Sequence, residues 1–182
     1  MKKLTATLAV CLSFGLGLVG CSSGNGQPTP AASEPTASSP AAQPTLAQEG
    51  TLLVDTDPNA QVVDGAGVKV SIDQTAKTAT LQLIDPQSGQ DFANYYVFDY
   101  GARTMLSHRL VEVMQKEYDY TLDLGTGELV VIVDAEGKDA MGPLKEMGRF
   151  DKAQTDRAQE RTDLEAWFQG RYGKTLEEAV LA

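Results

Sequence analysis

The chain has 182 residues, of which 25 are acidic, 15 are basic and one is a histidine, so its formal net charge is −10 at neutral pH. An acidic chain repels phosphate backbones and anionic lipid headgroups, which argues against nucleic-acid binding and against a basic membrane-binding patch. Two cysteines and one histidine are too few for a soft transition-metal site, so we expect no metal and no cofactor.

The amino terminus has the form of a secretion signal. Lys2 and Lys3 follow Met1, and an apolar run over residues 4–19 comes next, interrupted by glycines and small polar residues. This run is shorter than the ~20 apolar residues of a membrane-spanning helix, and the small residue Gly20 precedes a cleavage point. The pattern predicts a signal peptide over residues 1–20.

The signal ends in Leu18-Val19-Gly20-Cys21, which resembles the lipobox of bacterial lipoproteins. In that family the cysteine sulfur receives a diacylglycerol, the chain is cut before it, and the new amino terminus is commonly acylated, for instance with palmitate. The resemblance implies a durable lipid anchor on Cys21, because several acyl chains hold a protein at a membrane where one does not. It places the protein on the extracytoplasmic side of the cell membrane, or on the outer membrane of a diderm. The alternative is an ordinary signal peptide followed by an unrelated cysteine.

Residues 21–50 comprise the lipidated cysteine and a tether rich in Pro, Ala, Ser and Thr, with Leu46 as the only large aliphatic residue of the tether. Such a segment buries too little apolar surface to offset its ordering entropy, so we predict disorder with extended polyproline segments. Loss of Lys2 and Lys3 on cleavage changes the formal charge from −10 to −12. Cys21 is then the only cysteine, so the domain behind the tether has no disulfide.

Residues 51–182 have a usual size for one domain with one core. Two runs of alternating apolar and polar residues, 68–73 and 79–83, flank a turn-rich stretch and predict a hairpin with one buried face. Residues 85–89 contain Asp, Pro and Gly in an order typical of a turn. The aromatic run over residues 92–100 predicts a third strand.

Residues 103–116 fit both helical spacing and strand alternation, and we favour a strand because their neighbours are strands. Alternation over residues 117–124 predicts another strand. A Gly-Thr-Gly turn then leads into the continuous apolar run Leu129 to Val133, which suggests a central strand of the sheet.

The period changes after Gly137. Pro143 begins a short helix that ends at Gly148, and a longer helix is expected from a cap at Asp151 to a stop at Gly170. Thr175 and Glu178 have capping-box spacing before a last short helix. The expected fold is therefore α+β, an antiparallel β-meander sheet with C-terminal helices.

Four aromatic residues are the candidate ligand or partner surface: Tyr95, Tyr96, Tyr100 and Trp167. Tyr95 and Tyr96 are adjacent on a predicted strand, so one faces the core and the other stays available for peptide or carbohydrate contact. Packing into the core is the competing explanation for most of this aromatic run and for Trp167.

Catalytic candidates are sparse. His108 is the only histidine, and Ser107 beside it should point to the opposite face of a strand, so the two do not form a nucleophile and base. The carboxylates of Asp119 with Asp123, and of Asp134 with Glu136, would share one strand face, and glycosidases need two carboxylates at a defined separation. An ordinary solvated strand face explains the same pattern. The stretch Asp55 to Asn59 has oxygen ligands at alternate positions, yet the Gly and Glu that a calcium loop needs are missing.

The expected function is a membrane-anchored extracytoplasmic lipoprotein that carries a small, non-catalytic binding or interaction domain. Its partner would be an envelope protein or a glycan. Two alternatives are a hydrolase that acts on envelope polymers through strand carboxylates, and a purely structural envelope component.

Overall fold

A computed structural model describes residues 43–182. The predicted signal peptide, Cys21 and the tether up to residue 42 lie outside the described residues. The described chain forms eight strands and then three helices. The strands are β1 (Ala47–Glu49), β2 (Leu52–Asp57), β3 (Gly67–Asp73), β4 (Thr78–Ile84), β5 (Asp91–Asp99), β6 (Thr104–Val111), β7 (Lys116–Asp123) and β8 (Leu129–Asp134). The helices are α1 (Met141–Glu146), α2 (Phe150–Tyr172) and α3 (Leu176–Val180).

All eight strands belong to one sheet whose spatial order is the chain order, and every neighbouring pair is antiparallel. The predicted antiparallel meander followed by C-terminal helices is therefore confirmed. The predicted hairpin is β3 and β4, in which Val70 lies opposite Leu81. Residues 104–111 form β6, so the ambiguous segment is a strand that ends in a turn.

Four hairpins use a recurrent turn, in which a carboxylate at the end of one strand, or directly after it, accepts backbone hydrogen bonds from the turn itself. Asp73, Asp85, Asp99 and Asp123 each accept from N–H groups two or three residues ahead. The residue four positions after each of them is left-handed, and two of these residues are not glycine: Lys77 (φ 60°) and Arg103 (φ 58°). This turn matches the right-handed twist of the flanking strands and explains the short, regular connections.

One face of the sheet, the inner face, carries the hydrophobic core. The strand register aligns a row of inner-face residues from β3 to β8: Val70, Leu81, Tyr96, Ser107, Tyr120 and Ile132. α2 is about 34 Å long at 1.5 Å per residue and buries Leu164, Phe168 and Tyr172 against this face. α3 adds Leu176, Ala179 and Val180.

The structure corrects both predicted ends of the long helix. α2 begins after Arg149 rather than at an Asp151 cap, and it continues through Gly170 to Tyr172. Gly173, with φ 71°, is the left-handed residue that ends the helix. The predicted capping box of α3 is confirmed, since the Thr175 hydroxyl accepts from the Glu178 N–H and the Glu178 carboxylate accepts from the Thr175 N–H.

Two further predictions need correction. The strand β1 lies within the predicted tether and pairs with β2, because Leu46 packs against the core and orders its neighbours.

Leu129 to Val133 is an edge strand, not a central one, and Val131 is 45% exposed. A register shift beside Leu129 turns Val130 and Val131 outward, and residues 138–140 return along the free edge of β8, where the Ala140 N–H donates to the Ile132 carbonyl.

Candidate functional site

The structure separates the four aromatic residues of the predicted surface. Tyr96 is fully buried on the inner face, and burial raises the pKa of its phenol. Tyr95 points from the other face of β5, as expected for a strand neighbour. Tyr100 is half-buried at a turn, and Trp167 is half-buried on α2. Three of the four side chains are thus partly accessible, and they lie at different places on the domain.

Tyr95 belongs to a row of side chains on the face opposite to the core, which we call the open face. The row continues to His108 on β6 and Asp119 on β7. The rings of Tyr95 and His108 stack with centroids 4.7 Å apart, and His108 Nδ1 lies 2.7 Å from Asp119 Oδ1. Ser107 points to the inner face and is buried there, so His108 and Ser107 do not form a nucleophile and base.

Two of the carboxylates considered for catalysis serve turns. Asp123 accepts from the N–H groups of Gly125 and Thr126, and these hydrogen bonds hold its pKa below the ordinary value. Asp134 accepts from the N–H groups of Glu136 and Lys138. These hydrogen bonds give Asp123 and Asp134 a structural role in their turns. The Asp119 carboxylate lies within hydrogen-bond distance of the His108 ring.

A polar network lies between the inner face and α2. Glu160 is 12% exposed and accepts from Arg157 at 2.7 Å, while the Arg109 guanidinium is 3.7 Å away. Arg109 also donates to the Tyr96 hydroxyl at 3.1 Å and to Asp64 at 2.8 Å. Burial raises the pKa of Glu160, although both guanidinium groups act in the opposite direction. The network aligns α2 on β5 and β6.

A second polar cluster fixes the other end of α2. The Arg171 guanidinium binds Asp55 and Asp57, each at 2.8 Å, and the Tyr172 hydroxyl donates to Asp55 at 2.7 Å. Trp167 Nε1 donates to Asp57 at 3.4 Å. Asp55 and Asp57, which the sequence analysis compared with the ligands of a calcium loop, therefore pair with Arg171. Trp167 helps to dock α2 on the sheet. Among residues 43–182, no cluster of three or more metal-ligating side chains is found.

Tyr100 lines a polar cleft of about 570 Å³ between the turn at Arg103 and the C-terminal half of α2. Arg161 and Glu165 also line it and bind each other at 3.2 Å. Burial raises the pKa of Tyr100, and the charge of Glu165 raises it further. The charges in this cleft are mixed, so it shows no clear preference for an anionic or a cationic ligand.

A mainly apolar concavity of the described chain was not predicted from the sequence. It is a groove of about 550 Å³ between the tip of the β6–β7 hairpin and the corner that joins α1 to α2. We call it the Met114 groove; six residues that define it are Met114, Tyr118, Pro143, Leu144, Met147 and Arg149. Met114 is 49% exposed and Met147 is 59% exposed, so two large apolar side chains that line the groove are accessible to solvent.

The chain matches no protein-family model, no curated protein and no solved structure. The site must therefore be judged by its own chemistry. No helix within residues 43–182 is both long enough and apolar enough to span a bilayer.

The three surfaces, namely the His108 pair, the Tyr100 cleft and the Met114 groove, differ in the chemistry that they offer to a ligand. The His108 pair offers a proton donor or acceptor on a flat strand face, and the Tyr100 cleft offers mixed charges. The Met114 groove offers concave apolar surface of a volume typical of small-molecule sites, about 300–1,000 Å³. One sequence signal pointed to it, namely the apolar pair Val113-Met114 at a hairpin tip, where polar residues are usual.

Proposed function

We propose that this protein is a lipid-anchored lipoprotein on the extracytoplasmic side of the cell membrane, and that its domain binds a ligand or partner without catalysing a reaction. The anchor is supported by the lipobox-like residues that end at Cys21. We assign the domain to the α+β class, an assignment supported by the core residues that α2 and α3 contribute.

The observation that supports binding is the Met114 groove. Soluble domains seldom leave adjoining large apolar side chains exposed, because exposure of apolar surface to water is unfavourable. Here Met114 from the β6–β7 turn and Met147 from the end of α1 line one concavity, which Leu144 and Tyr118 also line. Methionine side chains are flexible and polarisable, which suits a surface that adapts to its ligand.

The anchor is tested by the Cys21→Ala substitution. The wild-type protein should incorporate a labelled fatty acid and shift in mass on processing, because the thiol of Cys21 accepts the diacylglycerol. The variant should show neither change. Equal labelling of both proteins would contradict the assignment.

Binding through the groove is tested in intact cells that express the full chain. A photoreactive amino acid placed at position 114 should give a discrete cross-linked product after illumination. The same amino acid at Thr75, an exposed position on a distant turn, is the matched control. Cross-links of equal pattern and yield at both positions would exclude the groove as the binding surface.

A hydrolase is the second candidate, supported by the His108–Asp119 pair at 2.7 Å. His108→Ala and Asp119→Asn are expected to leave the release of soluble fragments from isolated cell envelopes unchanged. Loss of such release in either variant, with an unchanged far-ultraviolet circular dichroism spectrum, would favour the hydrolase over the binding protein.

A further inference from the structure

The Met114 groove has one cationic end. Arg149 lines it, lies exposed at the amino terminus of α2, and forms no ion pair with any residue of the described range 43–182. The other two charged residues that line the groove, Lys152 and Asp156, bind each other at 2.6 Å. The groove therefore has one uncompensated positive charge, in a domain whose chain is strongly acidic overall.

The backbone strengthens this positive end. α2 has 23 residues, no side chain caps its first N–H groups, and its first turn contains one acidic residue, Asp151, which does not line the groove. Uncapped N–H groups and the helix dipole give the start of a helix a partial positive charge that favours anions. The Arg149 guanidinium lies at the same helix start and presents paired N–H donors of the geometry that a carboxylate accepts. The Arg149 side chain is therefore the main source of positive charge at this end of the groove, because the Asp151 carboxylate offsets part of the helix dipole.

The remainder of the groove is apolar. Leu144 and Met147 come from the α1 corner, and Met114 and Tyr118 come from the β6–β7 hairpin. The volume of about 550 Å³ is that of a small-molecule site.

We propose that the Met114 groove binds a single-chain anionic amphiphile of the fatty-acid type. This inference rests on the proposed binding function and names its ligand class. The carboxylate lies at Arg149 and the start of α2, and the alkyl chain lies between Leu144, Met147 and Met114. Free fatty acids and anionic single-chain lipids share this chemistry.

The test uses the unlipidated chain, residues 22–182, with ¹³C-methyl methionine labels. Met114 and Met147 report on the groove, whereas Met105 is fully buried in the core and serves as an internal reference. The probes are dodecanoate and a lysophosphatidylglycerol, both below their micellar concentrations, with decanol as a neutral chain and acetate as a headgroup without a chain. We expect dodecanoate to shift the Met114 and Met147 methyl signals while the Met105 signal stays in place.

The substitution Arg149→Gln should weaken dodecanoate binding about tenfold, because it removes a charge-assisted hydrogen bond to the carboxylate, and should leave decanol binding unchanged. Arg103→Gln is the matched control, because Arg103 is also an exposed arginine but lines the Tyr100 cleft.

If dodecanoate and decanol bind equally in the wild type and in both variants, the groove is a ligand site without anionic preference. That result overturns the inference while the proposed function stands. Absence of any methyl shift with every probe also overturns it, and the cross-linking experiment then decides the proposed function separately. A shift with lysophosphatidylglycerol alone would assign the site to a lipid rather than to a free fatty acid.

Discussion

Asp55 and Arg171 are 116 residues apart in the chain, and their side chains meet where β2 packs against the end of α2. Burial alone would raise the pKa of Asp55. The hydrogen bonds from Tyr172 and Arg171 outweigh this effect, so the pKa of Asp55 lies below its ordinary value. The carboxylate therefore favours the folded state whenever it is ionised.

Asp55→Asn should lower the free energy of unfolding at pH 7 by about 1.5–3 kcal/mol, the usual contribution of a hydrogen bond to a charged group. Because the pKa is lower in the folded protein than in the unfolded chain, this contribution is complete above about pH 4 and is lost as the pH falls through the folded value. Urea unfolding at pH 7 and at pH 3 should thus show a difference between wild type and variant that shrinks with acid. Glu49→Gln, an exposed change on β1, is the control. A difference of equal size at both pH values would mean that Asp55 acts through packing alone.

At the scale of elements, the length of α2 shows how packing decides between two local signals. The sequence predicts a helix end at Gly170, whereas the structure places the left-handed end residue at Gly173. Leu164, Phe168 and Tyr172 are spaced by four residues and form one buried stripe, which continues past Gly170. The helix therefore extends to Tyr172, and Gly173 adopts the left-handed conformation that ends it. A Cβ on Gly170 would meet no atom within 4 Å, whereas a Cβ on Gly173 would meet Gln43 at 2.6 Å.

Gly170→Ala should stabilise the protein by up to about 1 kcal/mol, because alanine has the higher helix propensity at an exposed interior position. Gly173→Ala should destabilise it by about 1 kcal/mol or more, because alanine disfavours a positive φ. Thermal unfolding of the two variants beside the wild type measures both changes. Destabilisation by both substitutions would show that α2 ends at Gly170 in solution.

At the scale of the whole molecule, the folded unit begins earlier than its composition indicates. All described residues fall within one compact unit, Pro40–Ala182. Leu46 packs against the core, and β1 adds three residue pairs to the edge of β2. A segment that looks like part of a Pro- and Ala-rich tether is therefore ordered by a single apolar anchor and a neighbouring strand edge.

Two fragments test this boundary. Residues 43–182 should unfold at nearly the same temperature as residues 22–182, because the described core is complete within them. Residues 51–182 should be less stable by about 1–2 kcal/mol, since the burial of Leu46 is lost. Equal unfolding temperatures for all three chains would show that β1 contributes nothing to stability.

Much of the sheet was predictable because its signals are local. Alternation of apolar and polar residues indicated β3, β4 and β7, and the turn around Asp85 was evident from its composition. The position of β8 in the sheet was predicted wrongly, because a continuous apolar run is typical of a central strand. The register shift that turns Val130 and Val131 outward has no recognisable signal in the local sequence. Adjacency on a strand correctly predicted that Tyr95 and Tyr96 face opposite sides, but the sequence did not decide which side was the core.

The sequence by itself determined the acidic charge and the meander of strands followed by helices; the lipid anchor on Cys21 and the lack of a disulfide after cleavage stay predictions from the lipobox-like residues. Each of these depends on residues that are neighbours in the chain or on simple counts. Only the tertiary structure decided that Tyr96 is core, that Asp55 and Asp57 bind Arg171, and that Met114, Met147 and Arg149 line one groove. Those relations join segments that are distant in the chain. They form because α2 covers the inner face of the sheet, so that one end of the helix contacts β2 and the other end lies near the tip of the β6–β7 hairpin.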